Sequence, residues 1–142
     1  MHGMVYVDTS ALVALLTREP SASLVAAWFA GNTEPLVSAD WCAAEFASAL
    51  AAKQRAKQLR PAHVKAAHAA FEQLSAGGVQ LLPVSRAAFQ QAATLCRTYT
   101  VGLRAGDALH LAVALESGCT ALAGLDATMN HSARTAGLRL VF

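Results

Sequence analysis

The chain has 142 residues, of which 55% are hydrophobic and only 14% charged, and its net charge is +2. That length fits one domain over residues 1–142 with a single buried core, and the longest apolar runs, residues 11–16 and 24–30, are far short of the roughly 20 residues a bilayer span requires. The small positive charge permits nucleic-acid binding without demanding it.

Residues 4–7 form a short, partly β-branched apolar run, a candidate buried strand ending at Asp8-Thr9-Ser10, which reads as the start of a helix through residues 11–16. Residues 35–38 suggest a second strand, after which Ser38 or Asp40 could cap a long helix to about Gln58. Pro61 suits the first turn of the next helix, and Gly77-Gly78 stops it. Residues 79–84 are a third strand candidate. Ser85 or Arg86 then opens a helix to about Tyr99, and another follows the Gly102 break over residues 105–117. Residues 120–125 and 138–141 supply the last two strands. Short apolar strands alternating with helices predict a parallel sheet covered on both faces. Such sheets gather ligands beyond their strands' carboxyl ends, where strand order reverses. Asp8 and Asp126 each follow a predicted strand directly, so both fall in that zone.

Four of the nine acids stand alone in apolar surroundings. Asp8 is the only charge before Arg18, Glu45 the only one between Asp40 and Lys53, Asp107 the only one between Arg104 and Glu116, and Asp126 the only one between Glu116 and Arg134. Burying such groups is costly without compensation. Two carboxylates about 5 Å apart would repel by roughly 3 kcal/mol at an effective dielectric of 20. A hard divalent cation relieves that repulsion, prefers oxygen donors, and retains waters whose protons leave more easily. Each acid also has an ordinary explanation: Asp8 and Asp107 as helix caps, Glu45 as a solvated helix residue, Asp126 as a turn residue.

Taken together, these segments resemble the PIN-domain ribonucleases, and most closely the VapC toxins of type II toxin–antitoxin systems. The likeness lies in V-Y-V-D-T-S-A-L at residues 5–12, S-A-D-W-C-A-A-E-F at 38–46, R-A-G-D-A-L-H-L-A-V-A at 104–114 and L-A-G-L-D at 122–126. It covers nearly the whole chain. The resemblance implies an α/β/α sandwich around a parallel sheet of about five strands, in the order 3-2-1-4-5. It further implies Mg²⁺ or Mn²⁺ held by Asp8, Glu45, Asp107 and Asp126, hydrolysis of an RNA phosphodiester (in tRNA or rRNA), homodimerisation, and inhibition by a cognate VapB antitoxin in a hetero-oligomer. The chain departs from the family's pattern at Gly124, where Thr or Ser is frequent, and at Met129, where an aromatic is frequent. Both departures bear on Asp126, which could serve a second metal or stand behind the ligands.

Ser10 resembles the family's small polar group beside the metal, with N-capping as the alternative; Thr9 reads as a cap or turn residue. Arg104, three residues before Asp107, is a candidate phosphate contact. His110 lies one helical turn after Asp107 and reads as packing, with orientation of an acid as the alternative. Lys53, Arg55, Lys57, Arg60 and Lys65 are either a phosphate track or a solvated helical face. Trp28, Trp41, Phe46, Phe71 and Phe89 fit core or interface positions rather than base-stacking platforms. The odd set Cys42, Cys96 and Cys119 has no C-x-x-C spacing, and His2, His63, His68 and His131 lack zinc-ligand spacing with it. With no basic segment before Asp8, this favours a reducing cytoplasm. Rival functions are a PIN nuclease of RNA processing, a catalytically silent PIN-fold binding module, and a phosphatase with a nucleophilic first aspartate.

Overall fold

The computed structural model describes residues 3–98 and 100–142; His2 and Tyr99 lie outside the described residues, and the helix expected to run to about Tyr99 ends at Cys96. Five parallel strands, β1 (Val5–Val7), β2 (Leu36–Ala39), β3 (Gln80–Leu82), β4 (Ala121–Ala123) and β5 (Arg139–Leu140), form one sheet in the order β3-β2-β1-β4-β5. The helices are α1 (Thr9–Leu16), α2 (Ala22–Gly31), α3 (Asp40–Arg55), α4 (Pro61–Gly77), α5 (Arg86–Cys96), α6 (Ala105–Glu116) and α7 (Ala127–Thr135). None of them is long and apolar enough to cross a membrane.

The two-residue period of a strand divides the apolar side chains between two cores. Val5, Val7, Ala121 and Ala123 point to one face, where they meet Leu12, Val25, Phe46, Leu50 and Phe71 of α1 to α4. Tyr6, Val37, Ala39 and Leu122 point to the other, against Ala88, Leu111 and Met129 of α5 to α7. The α/β/α sandwich expected from the resemblance is therefore present, with its strand order.

Several local expectations need correction. Asp40 is not the cap of α3: Ala39 holds the cap position without a side-chain hydrogen bond, and Asp40 begins the helix. There its charge still favours the positive end of the helix dipole. The helix stops at Arg55 rather than Gln58, and Lys57 turns the chain with φ +60. Arg104, not Asp107, occupies the cap position of α6. The strands are shorter than the apolar runs that announced them, and α2 and α7 were not anticipated.

Gly118 and Gly137, at φ +79 and +95, end α6 and α7 in the left-handed conformation glycine tolerates best. The chain then returns directly into β4 and β5, with Cys119 N–H on Ala114 O and Leu138 N–H on Ala133 O, both at 3.0 Å. At α5 the cap is a side chain. Ser85 Oγ accepts from Ala88 N at 3.0 Å and donates to Glu116 at 2.6 Å. Ser85→Ala should cost about 1 kcal/mol of stability in urea titration, with the exposed Glu116 bond adding little.

Candidate active site

A cleft of about 970 Å³ opens beyond the carboxyl ends of β1 and β4, and Asp8, Glu45, Asp107 and Asp126 all line it. The chain turns left from β1 to β2 and β3, then returns to add β4 and β5 on the right, so the strand order reverses between β1 and β4. Asp8 directly follows β1 and Asp126 follows β4. Glu45 comes from α3, and Asp107 from the first turn of α6.

Three of the four acids are tied by one oxygen. Asp8, 3% exposed, takes Ser10 N at 2.7 Å, Ala11 N at 3.3 Å and the Ser10 hydroxyl at 2.5 Å on the same Oδ1, thereby capping α1. Asp126 Oδ1 accepts Met129 N at 2.8 Å and caps α7. Glu45 Oε1 accepts the Thr9 hydroxyl at 2.6 Å and is bonded to His110 Nε2. The other oxygens of Asp8 and Glu45 press against glycines. A β-carbon at Gly124 would stand 2.8 Å from Asp8 Oδ2, and one at Gly106 would stand 2.8 Å from Glu45 Oε2. The space these oxygens use exists because both positions lack a side chain.

The charges are felt across the cleft. Burial raises the Asp107 carboxyl pKa, and the charges of Asp126, Asp8 and Glu45 push it further in the same direction. Burial also raises Asp8, against the lowering effect of its Ser10 bond. Glu45 goes the other way. Burial would raise it, but the His110 bond and charge and the Thr9 bond outweigh that and hold its pKa below the usual value, with a smaller effect from the Trp41 indole. That indole N–H has no hydrogen-bond partner among the described residues.

Ser10 braces the two strand ends, since its hydroxyl donates to Asp8 and accepts Leu125 N at 2.9 Å. Arg104 is exposed on the cleft wall. Of the basic stretch only Lys53 reaches the cleft, where it pairs with Glu19 at 2.6 Å. Sequence reasoning gave no site role to Tyr6, Trp41, Glu19 or Asn130. Asn130 Nδ2 donates to Gly124 O at 3.1 Å, stiffening the turn that carries Asp126. Thr9, which reads in the sequence as a cap or turn residue, instead reaches Glu45. Only Thr9 and His110 carried a legible signal, as polar residues within the quoted motifs.

The family profile of the PIN domain matches residues 5–134. The chain belongs to the PIN domain family. Solved structures with the same fold include VapC20 of Mycobacterium tuberculosis, a sarcin–ricin loop cleaving toxin, with a TM-score of 0.74 at 20% identity over 90% of this chain and 94% of that one. FitAcB from Neisseria gonorrhoeae matches at TM-score 0.68 and 20% identity, over 96% of each chain. VapBC2 from Rickettsia felis, bound to a DNA fragment from their promoter, matches at 0.62 and 15%, also over 96% of each. No curated protein matches the chain.

Among the described residues of this PIN domain, no three ligand-type side chains are clustered tightly enough to hold an ion as they stand. The donor set nonetheless suits a hard cation. It is all carboxylate, it lines one cleft, and glycines leave room for the oxygens of Asp8 and Glu45 that the scaffold does not use. The two departures from the family pattern also find physical places. Gly124 admits Asp8 Oδ2, and Met129 is fully buried in the core while its N–H binds Asp126.

Proposed function

We propose that this PIN domain is a divalent-metal-dependent endoribonuclease acting as a VapC-type toxin in the cytoplasm, neutralised by a cognate antitoxin and working as a homodimer. The observation that carries the reading is the gathering of four isolated carboxylates around one cleft at the switch point of the sheet. The fold shared with VapC20 and VapBC2 supports the toxin assignment.

Asp8, Glu45, Asp107 and Asp126 would hold Mg²⁺ or Mn²⁺. Such a cation supplies an acidified water and neutralises charge on the phosphate under attack. The protein's own part is to aim the acids. Ser10 and the α1 amides fix Asp8, Thr9 and His110 fix Glu45, and the α7 amide of Met129 fixes Asp126. Arg104 and Lys53, which line the cleft, would meet RNA phosphates.

The test is cleavage of total cellular RNA by purified protein with Mg²⁺ or Mn²⁺. Discrete fragments are expected, absent when EDTA is present and absent with Asp107→Ala, and restored when excess Mn²⁺ is added back to the wild type. Sequencing the fragment ends would show whether tRNA or rRNA is the target. Intact RNA in the presence of folded, antitoxin-free, metal-loaded protein would count against the reading.

A further inference from the structure

Behind the cleft runs a chain of buried polar groups that the four acids alone do not explain. Tyr6 lies in β1 and is fully buried; His110 lies in α6 and is 1% exposed. The Tyr6 hydroxyl is 2.5 Å from His110 Nδ1, and the two rings meet edge to face at 5.5 Å. His110 Nε2 is bonded to Glu45 Oε1, with Thr9 Oγ1 3.1 Å from the same nitrogen.

The proton positions follow from valence. An ionised carboxylate only accepts, so Nε2 carries the ring hydrogen towards Glu45. A neutral ring then accepts the Tyr6 O–H at Nδ1, and a charged ring donates Nδ1–H to the Tyr6 oxygen, so Tyr6 holds Nδ1 in either state. With Nδ1 held, the ring keeps its Nε2–H aimed at Glu45. With Thr9 as second donor, Oε1 is held from two sides. The remaining oxygen, Oε2, is left against Gly106. Glu45 has three rotatable side-chain bonds and would otherwise sample several rotamers.

We infer that Tyr6 and His110 are positioning residues, which with Thr9 lock Glu45 so that Oε2 faces the cation in the cleft. The inference rests on the reading of the cleft as a cation site. Groups that orient metal-ligating carboxylates typically matter by 10- to 100-fold in metal affinity.

The experiment is calorimetric titration of the purified protein with Mn²⁺, alongside Tyr6→Phe, His110→Leu, His110→Gln and Glu45→Ala, with melting curves to confirm folding. Tyr6→Phe removes one oxygen from the core and is the variant best placed to stay folded. Tyr6→Phe and His110→Leu should weaken Mn²⁺ binding by about 10- to 100-fold. His110→Gln keeps an N–H near the Nε2 position and should bind within a few-fold of wild type. In the Glu45→Ala background, Tyr6→Phe should have no further effect, which a purely structural role for the tyrosine would not produce. Unchanged affinity in Tyr6→Phe, failure of glutamine to rescue, or a full Tyr6→Phe effect without Glu45 would each overturn the positioning role alone. A wild type that binds no Mn²⁺ at millimolar concentration would overturn the cation site as well.

Discussion

Asp8→Asn should cleave RNA at least about 10³-fold more slowly than wild type while melting at the same temperature or slightly higher. The fall in rate is the size expected when a group that acts as a unit with others at the reacting centre is lost. The stability follows from the environment. Asparagine keeps an Oδ1 to accept Ser10 N and Ala11 N, so the cap of α1 survives. It removes a charge that burial disfavours, as the raised Asp8 pKa records. Neutralising that charge should stabilise the metal-free protein by about 1 kcal/mol, or about 3 °C. Asp8→Ala separates the two roles. It should be equally inactive but less stable by about 1 kcal/mol, because α1 loses its cap. Rate assays and thermal melts with EDTA check both variants; an Asp8→Asn protein that fails to fold would assign the residue a structural role instead.

Gly106→Ala should lower activity by about 10- to 100-fold without loss of stability. The added methyl would stand 2.8 Å from Glu45 Oε2 and 3.2 Å from Trp41 Nε1. Both are parts of side chains, so Glu45 yields rather than the backbone. Gly106 lies in the first turn of α6, and alanine there should offset the strain through helix propensity, by about 0.5–1 kcal/mol. Gly77→Ala is the control: at the end of α4, nothing lies within 4 Å of the added carbon. It should leave activity unchanged. Equal activity in both variants would mean that the placement of Glu45 Oε2 is unimportant.

The sheet was legible because its strands are short apolar runs bounded by turn residues. The acids were legible because each is a single charge in an apolar segment, and such a charge needs a reason. The helices α2 and α7 were not. In α2 apolar residues surround the axis while only Val25 is fully buried, so no face declares itself. In α7 just two residues, Met129 and Ala133, are buried, one turn apart, too few to show a period. Tyr6 looked like any strand residue. Its partner lies 104 positions away, and only the register of β1 beside β4, with α6 packed behind, brings the two together. Contacts set by packing across the sheet leave no local trace in a single sequence.

The division of the molecule into two cores bears on when the four acids can come together. Glu45 stands on a helix of the first layer, Asp107 lies in the first turn of one helix of the second and Asp126 caps another, and Asp8 follows the strand between the layers. During synthesis the amino-terminal half can condense early, but it brings only two of the four carboxylates. The last of them is Asp126, so all four stand in one chain only once everything from Asp8 to Asp126 has been made. A chain shorter than that holds only part of the candidate site, however early its first layer packs.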